Sequence, residues 1–230
     1  MKLFIASVLL AFVALGSAQS RQSSIDALTK LREAIPEIKY VQDSAVLKVS
    51  EAKQKASNAL NNFYHNVFAT KTDLLQQIIK EESEVMEYGK ALDSWCWENN
   101  VPKLEGIMGW IGIDFSNCIK ALDNSISGIV ATIYGQFQTD ESNINKYSLF
   151  EVFERRNIIN NPQSVLDAIA NLQLNVDESV PEFDQTIREF EDDLNAKIPS
   201  YTSCMNQQMS MRRMEIQNLK DETQLCLELQ

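Results

Sequence analysis

Four cysteines, Cys96, Cys118, Cys204 and Cys226, and a single histidine, His65, are the residues of this chain whose types suit sulfur, metal or acid–base chemistry. A thiol can act as a nucleophile, a metal ligand or half of a disulfide, and each use asks for different neighbours. A catalytic thiol needs a histidine partner and a depressed pKa, and three further cysteines would then need separate explanations. Structural zinc wants thiols about two to four residues apart, whereas Cys96 and Cys118 are separated by 22 residues, as are Cys204 and Cys226. An even number of widely spaced cysteines in an exported chain points instead to disulfides. Cys96 lies in "DSWCWENN" between Trp95 and Trp97, and the two indoles read as packing around a staple.

Geometry rejects one of the three ways to pair four cysteines. The stretch from Cys204 to Cys226 contains neither Gly nor Pro and reads as continuous helix, which sets the two sulfurs about 33 Å apart along one axis. A disulfide needs Cα atoms within about 7 Å. Cys204 therefore does not join Cys226, and Cys96 does not join Cys118. Two cross-pairings remain: Cys96 with Cys204 and Cys118 with Cys226, or Cys96 with Cys226 and Cys118 with Cys204. Either one requires Cys96 and Cys118 also to lie about 30 Å apart, which their separation permits only if the intervening chain is helical or stretched.

The elements that position these residues read as helices throughout. Seven glycines and five prolines in 230 residues leave few places to turn. From Ser24 to about Leu92, apolar residues recur at spacings of three and four, through Ile25, Leu28, Leu31, Ile35, Ile38 and Val41 and on to Phe63, Val67, Leu74, Ile78, Val85 and Leu92. A stripe of small residues, Ala45, Val49, Ala52, Ala56 and Ala59, interrupts them and allows close helix approach. Pro36 is expected to kink or break the run. "NNVPKLEGIMGWIGIDF", from Asn99 to Phe115, with Pro102, Gly106, Gly109 and Gly112, reads as an irregular but buried connection. A helix capped by Asp114 is expected to reach Phe137, followed by a polar turn, "QTDESN", and a short helix through Phe150 and Phe153. Further helices are expected from Ser164, from Pro181, and from about Thr202 to the end. The fold class is therefore all-α: an elongated multi-helix bundle with a long N-terminal helix, stapled by two disulfides.

Residues 1–18, "MKLFIASVLLAFVALGSA", pair a lone Lys2 with an apolar run and small residues before the expected cut, the pattern of a secretory signal peptide. The run is short of the roughly 20 residues a spanning helix needs. A single secreted helical domain is expected over residues 19–230. Removing the leader, whose one charge is Lys2, takes the formal net charge from −11 to −12. So acidic a surface repels phosphate backbones and anionic lipid, which argues against nucleic acid or a membrane surface as partner. No N-x-S/T sequon follows the leader.

The leader, the acidic helical region of this length, the sparse glycine and the cysteines Cys96, Cys118, Cys204 and Cys226 resemble the cysteine-containing N-terminal region of the tsetse EP family of secreted insect proteins. The resemblance covers residues 19–230 as a whole. It implies an extracellular protein, of gut lumen or defence, with no established catalytic residues. The glutamate-proline repeat that names the family does not occur among these residues, so a role tied to it is not carried over.

No GxSxG, HExxH, P-loop or dinucleotide fingerprint is present. His65 lies within a helical run, and Glu81, Glu82, Glu84 and Glu87 read as a solvated face. No catalytic residue, metal or cofactor is expected. The leading expectation is a secreted, non-enzymatic helical protein that binds an extracellular macromolecule or cell surface, with self-association through the N-terminal helix as a further option. The alternative is a carrier of a small apolar ligand, held among Trp95, Trp97, Ile107, Met108, Trp110 and Phe115, with Met205, Met209 and Met214 as adaptable walls.

Overall fold

A computed structural model of the chain describes the backbone of residues 2–92 and 94–229 and the side chains of 21–92 and 94–229. The expected signal peptide, at 1–18, lies outside the described side chains. Among the described residues six helices follow one another: α1 (Lys2–Ala91), α2 (Trp95–Glu98), α3 (Val101–Asn145), α4 (Pro162–Glu178), α5 (Asp184–Asn195) and α6 (Ile198–Glu228), with one 3-10 turn at Glu151–Phe153. No strand occurs among the described residues. The fold is all-α.

Two of these helices run through places where the sequence predicts a break. Pro36 lies inside α1. It removes one backbone donor and so frees the carbonyl of Arg32, but Pro36 and Arg32 are both exposed, where water can satisfy that carbonyl. Leu31, Ala34 and Ile38 stay buried on either side of it. The expected irregular connection from Asn99 to Phe115 is the start of α3, which runs unbroken from Val101. Its buried residues Leu104, Ile111, Phe115, Cys118 and Leu122 keep spacings of three, four and seven, and Gly106, Gly109 and Gly112 fall on the exposed side. Burial of one face outweighs the roughly 1 kcal/mol that each glycine costs a helix. Asp114 accordingly sits mid-helix and is no cap. The expected polar turn "QTDESN" is helical as well, and the expected helix through Phe150 and Phe153 shrinks to the 3-10 turn. α5 begins at Asp184, three residues beyond Pro181.

The chain divides into two compact units, residues Met1–Gln54 with Tyr134–Thr186 and residues Lys55–Ile133 with Ile187–Gln230. A single domain is expected over 19–230, and the boundaries between the two units fall within helices.

In the first unit, Leu31, Ala34 and Ile38 of α1 pack with Val165, Ala168, Ile169, Leu172 and Val176 of α4 and with Val152 of the 3-10 turn. Asn161 caps α4, its side chain accepting from the Ser164 amide at 3.3 Å, and Pro162 fills the first turn. Polar ties hold the connection between α3 and α4 to α1. Ser24 donates to the Ile158 carbonyl at 2.7 Å, and Gln42 to the Tyr147 carbonyl at 3.1 Å. Phe137 meets Phe183 edge-on at 5.5 Å.

In the second unit, α6 is braced by two adjacent arginines that face different helices. Arg212 binds Asp114 of α3 through Nη2 and Nε, at 2.7 and 2.9 Å, with both side chains 16% exposed. Arg213 binds Glu81 of α1, Nε to Oε1 at 2.9 Å. Glu81 therefore departs from the solvated face expected of Glu81, Glu82, Glu84 and Glu87. Glu84 keeps an exposed contact with Lys80 alone, at 3.7 Å, among the described pairs. Buried Asn100 donates to Thr223 Oγ1 at 2.8 Å, and that hydroxyl donates in turn to the Leu219 carbonyl. Ala56 and Ala59 of the small-residue stripe are buried here, as Ala45, Val49 and Ala52 are in the first unit.

Candidate functional site

The sulfur chemistry of the second unit is structural. Cys96 is bonded to Cys226 and Cys118 to Cys204, with Cα atoms 5.9 Å apart in each pair, and no cysteine is free. This is the antiparallel one of the two cross-pairings that the sequence leaves open. An unbroken α6 from Ile198 to Glu228 and a helical chain after Cys96 allow either cross-pairing, and the opposite direction of the two segments selects this one. The inner bridge spans 86 residues and lies within the 130 spanned by the outer one. Ser94 caps α2, its Oγ accepting from the Cys96 amide at 3.0 Å. The two indoles beside Cys96 part company. Trp97 is buried and its ring lies directly against Gly89 of α1, whereas Trp95 is 66% exposed.

The nine residues proposed as walls of an apolar pocket separate by exposure. Trp97, Phe115, Met205 and Met209 are core residues, Ile107 and Met108 are half-buried, and Trp95, Trp110 and Met214 face solvent. None of the nine lines the three clefts described next. His65 is exposed.

One cleft, of about 320 Å³, adjoins the inner disulfide between Leu122 and Tyr201. A second, of about 300 Å³, lies beside the 3-10 turn among Glu151, Glu154, Arg156 and Asn171. The third is larger, about 650 Å³, and lies in the first unit where α3 and α4 end. Asp140, Asn143, Lys146 and Tyr147 line it from α3 and the residues just after, and Asn175, Glu178, Ser179, Val180 and Pro181 line it from the end of α4. Asp140 Oδ2 is buried and has no hydrogen-bond partner among the described residues. Burial raises the Asp140 pKa above the ordinary carboxylate value, because desolvation penalises the charged form. Lys146 Nζ donates to Asn143 Oδ1 at 2.9 Å.

No family model, curated protein or solved structure matches the chain.

This cleft is hidden in the sequence, where "QTDESN" has the composition of a polar turn. A signal is nevertheless present. Asp-Glu-Ser occurs at 140–142 and again at 177–179, close to the C-terminal ends of α3 and α4, and neither helix has a basic residue in its last turn. Acidic side chains at a helix C-terminus oppose the macrodipole, which favours cations there. Asp140 and Glu178 line the cleft together with Lys146, and Glu141 pairs with Lys53 at 2.6 Å. Among the described residues, no group of three or more His, Cys, Asp or Glu is arranged to hold a metal ion.

Proposed function

We propose that the protein is exported and acts without catalysis, as a disulfide-stapled helical binding protein of the extracellular space. The observation that carries this reading is the consumption of all four cysteines in two bridges, the state that an oxidising compartment sustains. The apolar run after Lys2 supports export. No helix among the described residues is long and apolar enough to cross a membrane. The cysteine plan supports a place beside the tsetse EP family, and with it a role in gut lumen or defence. The formal charge of −11 argues against phosphate-rich partners. The two clefts of the first unit are lined mainly by polar side chains, which favours a polar ligand there over the apolar one considered for a carrier. Self-association through α1 belongs to the same proposal, since Tyr40 and Leu47, one heptad apart, both face solvent.

Expression through the secretory route of an insect cell line tests export. Intact mass of the secreted protein is expected to show cleavage after Ala18 and two disulfides. Retention inside the cell, with residues 1–18 present and thiols open to alkylation, refutes it. Mass analysis of whatever co-purifies with the secreted chain would name the partner. Light scattering over a range of concentrations tests self-association, and a concentration-independent monomer rules it out.

A further inference from the structure

We propose that the connection between α3 and α4 carries a processing site, the Arg155–Arg156 pair, cleaved after Arg156 by a serine endopeptidase that selects arginine. Arg-Arg occurs twice in the chain, at 155–156 and at 212–213, and the structure treats the two pairs differently. Arg212 and Arg213 lie within α6, with their guanidinium groups taken up by Asp114, Glu215 and Glu81. Arg155 and Arg156 lie outside the helices, and residues 154–157, Glu-Arg-Arg-Asn, form an unbroken exposed run. The Arg155 side chain is 92% exposed, and its contact with Glu154, at 3.7 Å between two exposed groups, holds it weakly.

Backbone shape singles out the same place. An endopeptidase draws several residues into an extended strand, which a helix denies until it unwinds. Glu154 is already extended, with φ −61° and ψ 120°. Arg155 has φ 56°, the one positive value at a non-glycine residue among the described residues. That left-handed shape is unfavourable for a residue with a side chain, and turning into the extended form relieves it. Opening the segment breaks little else: the Glu151–Phe153 turn, and the contacts of Arg156 Nη1 with the Glu151 and Glu154 carbonyls at 2.9 and 3.2 Å. Buried Val152 on one side and the Ser24 bond to the Ile158 carbonyl on the other keep the flanks anchored. Among the described residues, Lys146 and Lys197 are the other basic residues outside the helices. Lys197 is half-buried in the two-residue turn between α5 and α6. Lys146 is held by Asn143, and the carbonyl of the next residue, Tyr147, is tied to Gln42.

The step is a hydrolysis. The amide bond between the Arg156 carbonyl carbon and the Asn157 nitrogen breaks, and one water supplies the hydroxyl that completes the Arg156 carboxyl and the hydrogen that completes the Asn157 amine. Cys96 and Cys118 precede this bond and Cys204 and Cys226 follow it, so the product is a two-chain protein held by both disulfides. The packing of α1 on α4 keeps every residue it had. The site goes beyond the binding role proposed above and stands on exposure and backbone shape, so retention of the chain in cells removes export and leaves the site in place.

Limited digestion of the full oxidised protein with trypsin is the test, read by mass before and after reduction. The unreduced product is expected to gain the mass of one water, and reduction is expected to release two chains that part between Arg156 and Asn157, ahead of any cut within a helix. Trimming after Arg21 shortens only the expected N-terminus and is told apart by mass. Joint replacement Arg155→Gln with Arg156→Gln is expected to slow this cut by about 100-fold or more, because the carboxylate of the enzyme's pocket is left without its cation, with the helical circular dichroism unchanged. Arg156→Lys is expected to keep the site. Chymotrypsin is expected to cut the parent and the double variant at equal rates, which separates loss of the arginine side chains from a stiffened segment. First internal cleavage at a basic residue outside the pair overturns the proposal, as does an unchanged trypsin rate in the double variant.

Discussion

Because the inner disulfide is nested within the outer one, the two bridges should be worth less together than apart. In the chain-entropy description, cross-linking constrains the unfolded chain by an amount that grows with the logarithm of the loop closed. Alone, the loops of 130 and 86 residues stabilise by about 5.0 and 4.6 kcal/mol. With the inner bridge in place, the ends joined by the outer one are connected through only two 22-residue arms. The effective loop falls to about 44 residues and the added stability to about 4.0 kcal/mol. The same treatment lowers the inner bridge to about 3.6 kcal/mol when the outer one is already closed. Removing both bridges should therefore cost about 1 kcal/mol more than the sum of the two single losses. The variants are Cys96→Ala with Cys226→Ala, Cys118→Ala with Cys204→Ala, and all four together. Costs of the vacated space at the two sites lie about 33 Å apart along α6 and cancel in the cycle. Denaturant midpoints followed by circular dichroism give the coupling directly. A coupling of zero, or one in which either bridge is worth more in the presence of the other, would refute the nested-loop account.

Glycines divide by what a methyl group would meet. Gly89→Ala drives a Cβ into the Trp97 ring and should cost about 2 kcal/mol by overpacking. Gly106→Ala and Gly109→Ala meet nothing within 4 Å and should each raise stability by about 0.5–1 kcal/mol in thermal melts. Arg212→Leu strands the 16%-exposed Asp114 carboxylate and should cost about 2 kcal/mol, part of which Asp114→Leu recovers in the double variant. The Asp140 pKa is raised in the folded chain by burial, so the folded state holds the proton more tightly than the unfolded one. Stability then falls as pH rises through the window from the unfolded carboxylate value to the raised folded one, and acidification through that window recovers it. Lys146 and Glu178 line the same cleft. Melts of Asp140→Asn should lose this segment of the pH profile and lie above the parent at neutral pH, and an unchanged profile would remove Asp140 as its source.

Much of the helical plan is legible in the residues, because burial of one face leaves spacings of three and four that Leu31, Ala34, Ile38 and the small-residue stripe display openly. The cysteines gave more. Their required 30 Å separation calls for an extended or helical segment after Cys96, while Gly106, Gly109 and Gly112 suggest a loop in the same place. The structure sides with the cysteines: a glycine on an exposed face costs a helix little when its apolar neighbours are buried. Exposure itself is harder to read. Trp95 and Trp97 look alike in sequence, yet two residues along a helix amount to about 200° of rotation, which puts one ring in the core and the other in water. The cleft around Asp140 was illegible for a different reason. Its residues come from two segments, 140–147 and 175–181, well separated in the chain, and only their meeting makes the acidic ends conspicuous. The choice between the two cross-pairings likewise depends on helix direction, which local spacing does not encode.

A consequence of the two sulfur bridges concerns hydrolysis of the backbone. Any single peptide bond cut between Cys96 and Cys226 leaves both pieces covalently joined, whichever segment the enzyme reaches, because at least one bridge always straddles the nick. A molecule of this kind tolerates one such scission in a digestive fluid without falling apart. It would migrate as one chain on a gel until a reducing agent is added.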